Sequence, residues 1–346
     1  MTKDEYYYAV QENIKSMLPS EFMSYEINLR QMQASYGEYM GLSIGVFGKS
    51  IEPVFNLDHM YGLVSDLPMS EALHRTADVI SNHYKTSPEY EDALQQHCLK
   101  VMTSFEDAKP FIYAGTCPRN NSRYLDLAPH RMMDDIALIP KIDITPENSE
   151  ASMSVSIRNE VLERWGVTQD EVMDHAIENT QNIRPSTLIE MGKLFAGVFG
   201  PEGEEMLPPS DDIPALYVYS NNKNMDGFAG LFSQNAMKDI FEQFGRDFYI
   251  LPSSVHEALI YPDFGDNPSE EATTLSNMVK EVNMTQVLPE DVVSDFAYHY
   301  DHTADKFEKA FDFAKRMEKE KQAERDVLPA NITMTAQIGA VEKQII

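Results

Sequence analysis

The chain has 346 residues, with 28 Lys and Arg against 56 Asp and Glu, a formal charge of −28. That balance excludes a protein built mainly to grip nucleic acid, which needs a basic face. With 42% hydrophobic and 24% charged residues, an intrinsically disordered chain is excluded as well.

Tyr7, Val10, Ile14, Met17 and Leu18 fall near one face, so residues 4–18 read as a helix that Pro19 stops. Alternation predicts strands over 22–33 and 38–48, joined by a Ser35-Tyr36-Gly37 turn. Helices follow at about 69–84 and 88–106, the second with Pro88 in its first turn. Residues 135–144 and 151–157 alternate as the two arms of a hairpin. The next helix ends at Trp165 with Gly166 as its stop, and Thr168 with Glu171 forms a capping box for a helix to about 179.

Residues 200–214 are an acidic, Pro-rich loop. Beyond it we read strand 215–219, turn 221–227, strand 228–232, helix 235–244, strands 247–251 and 255–261, and helix 269–283. Tight turns between strands mixed with helices give an α+β class, with a mixed, largely antiparallel sheet and packed helices. Length suits two domains at roughly 150 residues each, or one large one. The boundaries are an N-terminal part at 1–200, the loop at 201–214, a C-terminal part at 215–303 and a helical extension and tail at 304–346.

In that extension Phe307, Ala310, Phe311, Ala314 and Met317 follow helical spacing over 303–325, a C-terminal amphipathic helix. Its stripe suits packing back on the domain. Docking on a protein partner, through Phe307, Phe311 and Met317, is the alternative. Residues 327–346 look weakly structured. Residues 201–300 hold 4 basic and 18 acidic residues, a net of −14, so half of the charge lies there.

Two cysteines, Cys98 and Cys117, no apolar leader and no run of roughly 18 apolar residues predict a cytoplasmic protein that contacts no membrane. The sequons at Asn120, Asn283 and Asn331 are then silent.

Several motifs are incomplete. Ser43 to Ser50 approaches a phosphate-binding loop but has Ser43 where the motif needs Gly, and extended chain follows instead of a helix. His256-Glu257 lacks the second His of a zinc helix, since Ile260 stands there. His299 and His302 have no third ligand at a recognisable spacing and read as surface histidines. No metal or cofactor is implied. Ser254, His256 and Glu257 supply a hydroxyl, an imidazole and a carboxylate, the types that acyl transfer needs. On one strand, however, Glu257 points away from the other two, and no Gly-flanked elbow holds the serine.

Phe248 to Pro262 resembles the central motif of a bacterial family, domain of unknown function 5688. Met278 to Asp295 is similar to the family's second block, with its Asn, Thr-Gln and Ser-Asp, and Ser156 to Thr168, with Ala176 and Asn179, to a third. The resemblance covers about residues 5–303. It is weaker near 128–142, where Pro140 interrupts an apolar strand. It implies no activity, but it marks Ser254, His256, Glu257, Asn283, Gln286 and Asp295 as polar motif residues that either hold a buried network together or bind something.

The function expected from the residues is binding or an accessory role without catalysis. The alternatives are a hydrolase-type enzyme centred on Ser254 and His256, and an acidic mimic of nucleic acid.

Overall fold

The computed structural model describes residues 1–45, 53–84, 88–118, 121–145, 153–199 and 216–327. The loop expected at 201–214, the tail from 328 onward, the sequons at 120 and 331 and most of the Ser43–Ser50 motif lie outside these residues. The architecture is α+β, as expected, with three antiparallel sheets.

The N-terminal part is α1 (Lys3–Met17), β1 (Glu26–Ala34), β2 (Gly37–Gly45), β3 (Val54–Asn56), α2 (Leu57–Val64) and α3 (Met69–Tyr84). Thr2 and Glu5 cap α1 reciprocally, which satisfies two amides that a helix start leaves unpaired. Tyr6, Val10 and Ile14 recur every four residues and are buried against Leu42 and Ile44 of β2 and against Ala77 and Ile80 of α3. The turn between β1 and β2 is Ser35-Tyr36, and Gly37 takes φ +139 there, a region open to glycine and strained for other residues. Residues 22–25, expected to start the first strand, instead lie in or beside a short 3-10 turn at Ser20–Ser24.

The middle part is α4 (Pro88–Val101), α5 (Phe105–Ala108), β4 (Ile112–Cys117), α6 (Ser122–Leu125), β5 (Arg131–Met133), β6 (Ile136–Asp143), β7 (Ser154–Ser156), α7 (Asn159–Trp165) and α8 (Gln169–Ile183). β6 pairs with β4 along one side and with β5 and then β7 along the other. Pro140 does not break β6. Its carbonyl accepts from the Ile157 amide at 3.0 Å, so its missing N–H faces the β5/β7 side, at the end of the short β7 pairing, and not the continuous β4 ladder. Gly166 ends α7 at φ +68, and Thr168 with Glu171 caps α8.

The last part is β8 (Ser186–Glu190), α9 (Met191–Phe199), β9 (Tyr217–Asn221), α10 (Ala236–Phe244), β10 (Phe248–Ser254), β11 (Glu257–Pro262), α11 (Pro268–Thr285), β12 (Tyr298–Asp301), β13 (Lys306–Lys309) and α12 (Ala310–Val327). Its sheet has the order β13-β12-β10-β11-β9-β8. Alternation along β10 sorts its two faces. Phe248 and Ile250 join Ile136 and Leu138 in the central core, while Tyr249 and Leu251 pack under α11 and α12 with Leu275, Val279, Ala310, Phe313 and Ala314.

Three expectations change here. Residues 228–232 belong to a 3-10 turn, Gly227–Phe232, and not to a strand; residues 227–231 are all buried, so the sequence shows no periodicity there. The amphipathic helix starts only at Ala310; Phe307 belongs to β13, paired opposite Tyr300 and stacked on Tyr298. Phe311 and Met317 of α12 pack on the same chain. The boundary expected at 303/304 therefore falls inside a hairpin that completes the sheet.

Candidate functional site

A buried set of ionisable groups forms where the central sheet meets the last one. Tyr113 comes from β4, Lys141 from β6, Asp226 from the turn after β9, His256 from the turn between β10 and β11, and Asp291 from the short 3-10 turn Pro289–Asp291. Asp226 is 4% exposed. Lys141 donates to one of its oxygens at 2.7 Å, and the Tyr113 hydroxyl donates to the other at 2.9 Å.

The backbone explains why these residues meet. Asp226 adopts φ +56, a conformation that Asp tolerates better than most side chains. Its N–H donates to Nδ1 of His256 at 3.2 Å. The next residue, Gly227, lies so close to the β10–β11 turn that a Cβ would stand 2.4 Å from the His256 carbonyl and 2.8 Å from the Ser220 Cα. Ser220 donates to that same carbonyl at 2.8 Å, and the Val255 amide donates to the Asp291 carbonyl at 2.9 Å. Three turns are thus locked together by backbone contacts.

Electrostatics follow from burial and partners. Burial works against the Asp226 carboxylate, yet the Lys141 charge and the bonds from Lys141 and Tyr113 outweigh it and hold its pKa below the usual range. Burial, with Asp226 beside it, raises the Tyr113 phenol well above its ordinary value. Burial also raises Asp291, against the pull of His256 at 3.7 Å. Arg184, 1% exposed, pairs with Asp143 at 2.7 Å and lies 4.9 Å over the Tyr113 ring.

The network holds charges in place through bonds among its own members. His256 accepts through Nδ1, so the neutral ring carries its proton on Nε2, which faces Asp291. The Ser254 hydroxyl accepts from the backbone N–H of His256 at 3.1 Å. Glu257 starts β11 opposite Ser254 and accepts from the Ser253 hydroxyl at 3.1 Å. The structure thus gathers the three residues at one turn, but their bonds close that turn. Asn283 donates to the Ser294 carbonyl and to Asp295 Oδ1, both at 2.9 Å, so these two motif residues fasten α11 to the following segment. Gln286 is exposed at the C-terminal cap of α11, away from them.

His299 departs from its expected surface position. It is fully buried, donates through Nε2 to the Asp263 carboxylate at 3.0 Å and stacks on Phe313 at 3.6 Å. His302 stacks instead on Phe241. Cys98 and Cys117 are free and buried. Among the described residues no three His, Cys, Asp or Glu side chains gather to hold a metal ion, and no helix is long and apolar enough to cross a membrane.

Hollows open at the surface of the described residues, and two of them border sheet edges or turns. One, of about 370 Å³, lies between the tip of the β1–β2 hairpin and Pro289-Glu290, and includes Tyr36, Asn121 and Arg123. The other, of about 480 Å³, runs between β5 and β13. Met132, Met133, Phe232, Met237 and Phe307 give it an apolar floor, and Asp134, Lys238, Asp305 and Lys306 line its sides. Asp134, Asn235 and Asp305 all have positive φ there, the kind of backbone that clusters at functional sites. β5 pairs only with β6 and β13 only with β12 among the described residues, so both walls are sheet edges. Sequence reading missed this cleft because β5 is three residues long and β13 was merged into the helix.

Neither the curated proteins nor the solved structures contain a match to this chain. A family model of unknown function, DUF5688, matches residues 3–302, which takes in all three sheets except β13, and the chain therefore belongs to the DUF5688 family.

Proposed function

We propose that the protein acts by binding, as an accessory protein without catalysis, and that the cleft between β5 and β13 receives an extended segment of a protein partner. The observation that supports this reading is the pair of unpartnered sheet edges bordering one apolar-floored cleft of about 480 Å³. An edge strand offers a row of free N–H and C=O groups, and an added strand satisfies them while its alternate side chains enter the floor. Asp134, Asp305, Lys238 and Lys306 place both charge signs at the rim, which sets register more than affinity.

The test is selection of displayed random peptides against the full chain. Enriched peptides should alternate apolar and polar residues, and Met132→Glu should abolish their binding, since Met132 is 49% exposed on β5 within the cleft. No enrichment, or enrichment indifferent to Met132→Glu, overturns the proposal.

A further inference from the structure

The smaller hollow, of about 370 Å³, lies where two parts of the chain with separate cores meet. The buried core of the N-terminal part runs from Tyr6 to Ile80, and that of the central part begins at Val101. The tip of the β1–β2 hairpin joins them. Asn121 donates to the carbonyls of Ala34 and Ser35 at 2.7 and 2.8 Å, and Gln33 donates to Asn121 Oδ1 at 2.9 Å. Small-molecule sites favour such junctions, and the volume lies within their usual range.

The walls of the hollow carry a definite chemistry. Tyr36, in the hairpin turn, lines it and is 42% exposed. Tyr39 stacks beside that ring, with centroids 5.6 Å apart and planes 20° apart, which steadies it. Arg123 and Glu38 both line the hollow and pair with each other at 2.9 Å, so their charges cancel. Glu290 comes from the Pro289–Asp291 turn, is exposed, and has no hydrogen-bonding or ion-pair partner among the described residues. Burial raises the Tyr36 phenol above its ordinary pKa, and Tyr39 and the Glu290 charge add to the shift, so ring and carboxylate are neighbours.

A ring face and an uncompensated carboxylate attract the same guest, a cation. A metal ion fits poorly, because calcium and magnesium need several oxygen ligands and only one carboxylate here is free. An alkylammonium group needs only one, and its carbon atoms can lie against Pro118 and Pro289. The chain's charge of −28 raises the concentration of cations around it.

We propose that this hollow binds an organic ammonium ion, with its nitrogen over Tyr36 and beside Glu290 and its carbon chain against Pro118 and Pro289. The site is separate from the β5–β13 cleft and stands or falls independently of the function assigned to that cleft. A guest held there touches the hairpin tip and the 289–291 turn at once, and so fastens the N-terminal part to the rest of the chain.

Calorimetric titration of the full chain with choline tests this, run in about 0.15 M salt so that long-range attraction is screened. Choline should bind saturably at one site, and its uncharged isostere, 3,3-dimethyl-1-butanol, should bind about tenfold more weakly or not at all. Tyr36→Leu should weaken choline by about threefold to thirtyfold, while Tyr36→Phe keeps the ring and should leave it unchanged. Glu290→Gln, at an exposed site that carries the test even if Tyr36→Leu fails to fold, should weaken it by about twofold to fivefold. Glu163→Gln, exposed on α7, should change nothing. An acetylated, amidated Ala-Lys-Ala peptide identifies the source of the ammonium group: tighter binding than choline assigns it to a protein side chain, weaker binding to a free small molecule, and both support the site. Equal binding of the isostere overturns the proposal, as does a loss in Glu163→Gln that matches Glu290→Gln. No saturable binding of choline or of the peptide overturns it as well.

Discussion

Lys141→Met gives the sharpest test of the buried charge network. The substitution keeps the length of the side chain and deletes its charge, leaving Asp226, 4% exposed, with the Tyr113 hydroxyl as its main partner. Removing one member of a buried ion pair costs about 3–5 kcal/mol, most of it the cost of the stranded charge. Asp226→Asn tolerates the same positive φ and strands nothing charged, since Lys141 is 13% exposed and its long stem can turn to water; the loss there should be about 1–2 kcal/mol. The double variant should be more stable than Lys141→Met alone by about 2 kcal/mol, because the stranded carboxylate is gone. Urea unfolding followed by tryptophan fluorescence reads the right region, since the single tryptophan, Trp165, packs against the core that contains this network. pH supplies the control. Asp226 has a lowered native pKa, so its contribution is present above the ordinary carboxylate value of about 3.9 and is lost as pH falls through the native value. The gap between wild type and Lys141→Met should therefore narrow as pH approaches 3. A Lys141→Met loss under about 1 kcal/mol at pH 7, or a double variant no better than the single, would refute the reasoning.

Gly227→Ala puts a methyl group 2.4 Å from a backbone carbonyl, so the three locked turns must separate; a loss of about 3 kcal/mol or more is expected, and unchanged thermal unfolding would contradict it. Asp291→Asn should stabilise the protein at pH 7. The raised native pKa means that Asp291 favours folding while protonated and loses that contribution as pH rises through the native value; the advantage of Asn should vanish in acid, and a variant less stable at pH 7 counts against it. Arg316→Met leaves Asp301 and Glu308, 8% and 6% exposed, without the guanidinium that lies 2.8 Å from each; a loss of about 2–4 kcal/mol is expected in urea unfolding, and none would mean the pairing is idle. A chain ended at residue 302 lacks β13 and α12 and uncovers Tyr249, Leu251, Leu275 and Val279; it should bind a hydrophobic dye and aggregate, whereas a soluble monomer with an unchanged melting curve would show that the last helix is dispensable.

What the sequence reveals of this fold depends on how local the cause is. The capping box of Thr168 and Glu171, the Gly166 stop and the Ser35-Tyr36-Gly37 turn act within a few residues, and the structure has all three. β4 escaped notice because all six of its residues are buried, so neither face shows in the pattern. Phe307 fitted a helical spacing that continues into α12, and only its pairing with Tyr300 assigns it to a strand. Of the charge network, His256 was visible as a polar residue in a family motif. Tyr113, Lys141, Asp226 and Asp291 were not, because they arrive from four other elements and nothing in their spacing announces a meeting. The cleft is the same case: its walls are edges of two different sheets, and an edge is a property of topology, not of composition.

The sheet is finished by the last described part of the chain. Until β13 and α12 have been synthesised, Tyr249, Leu251 and the inner side of α11 have no cover. Synthesis at roughly 5–20 residues per second makes the stretch from 303 to 327 in about one to five seconds. For that interval and until the end of the chain leaves the ribosome, each nascent chain carries an apolar face without its cover, and neighbouring chains on one message can find one another. Substitutions that slow the seating of α12 should therefore first reduce the yield of soluble protein, well before they affect anything the finished molecule binds.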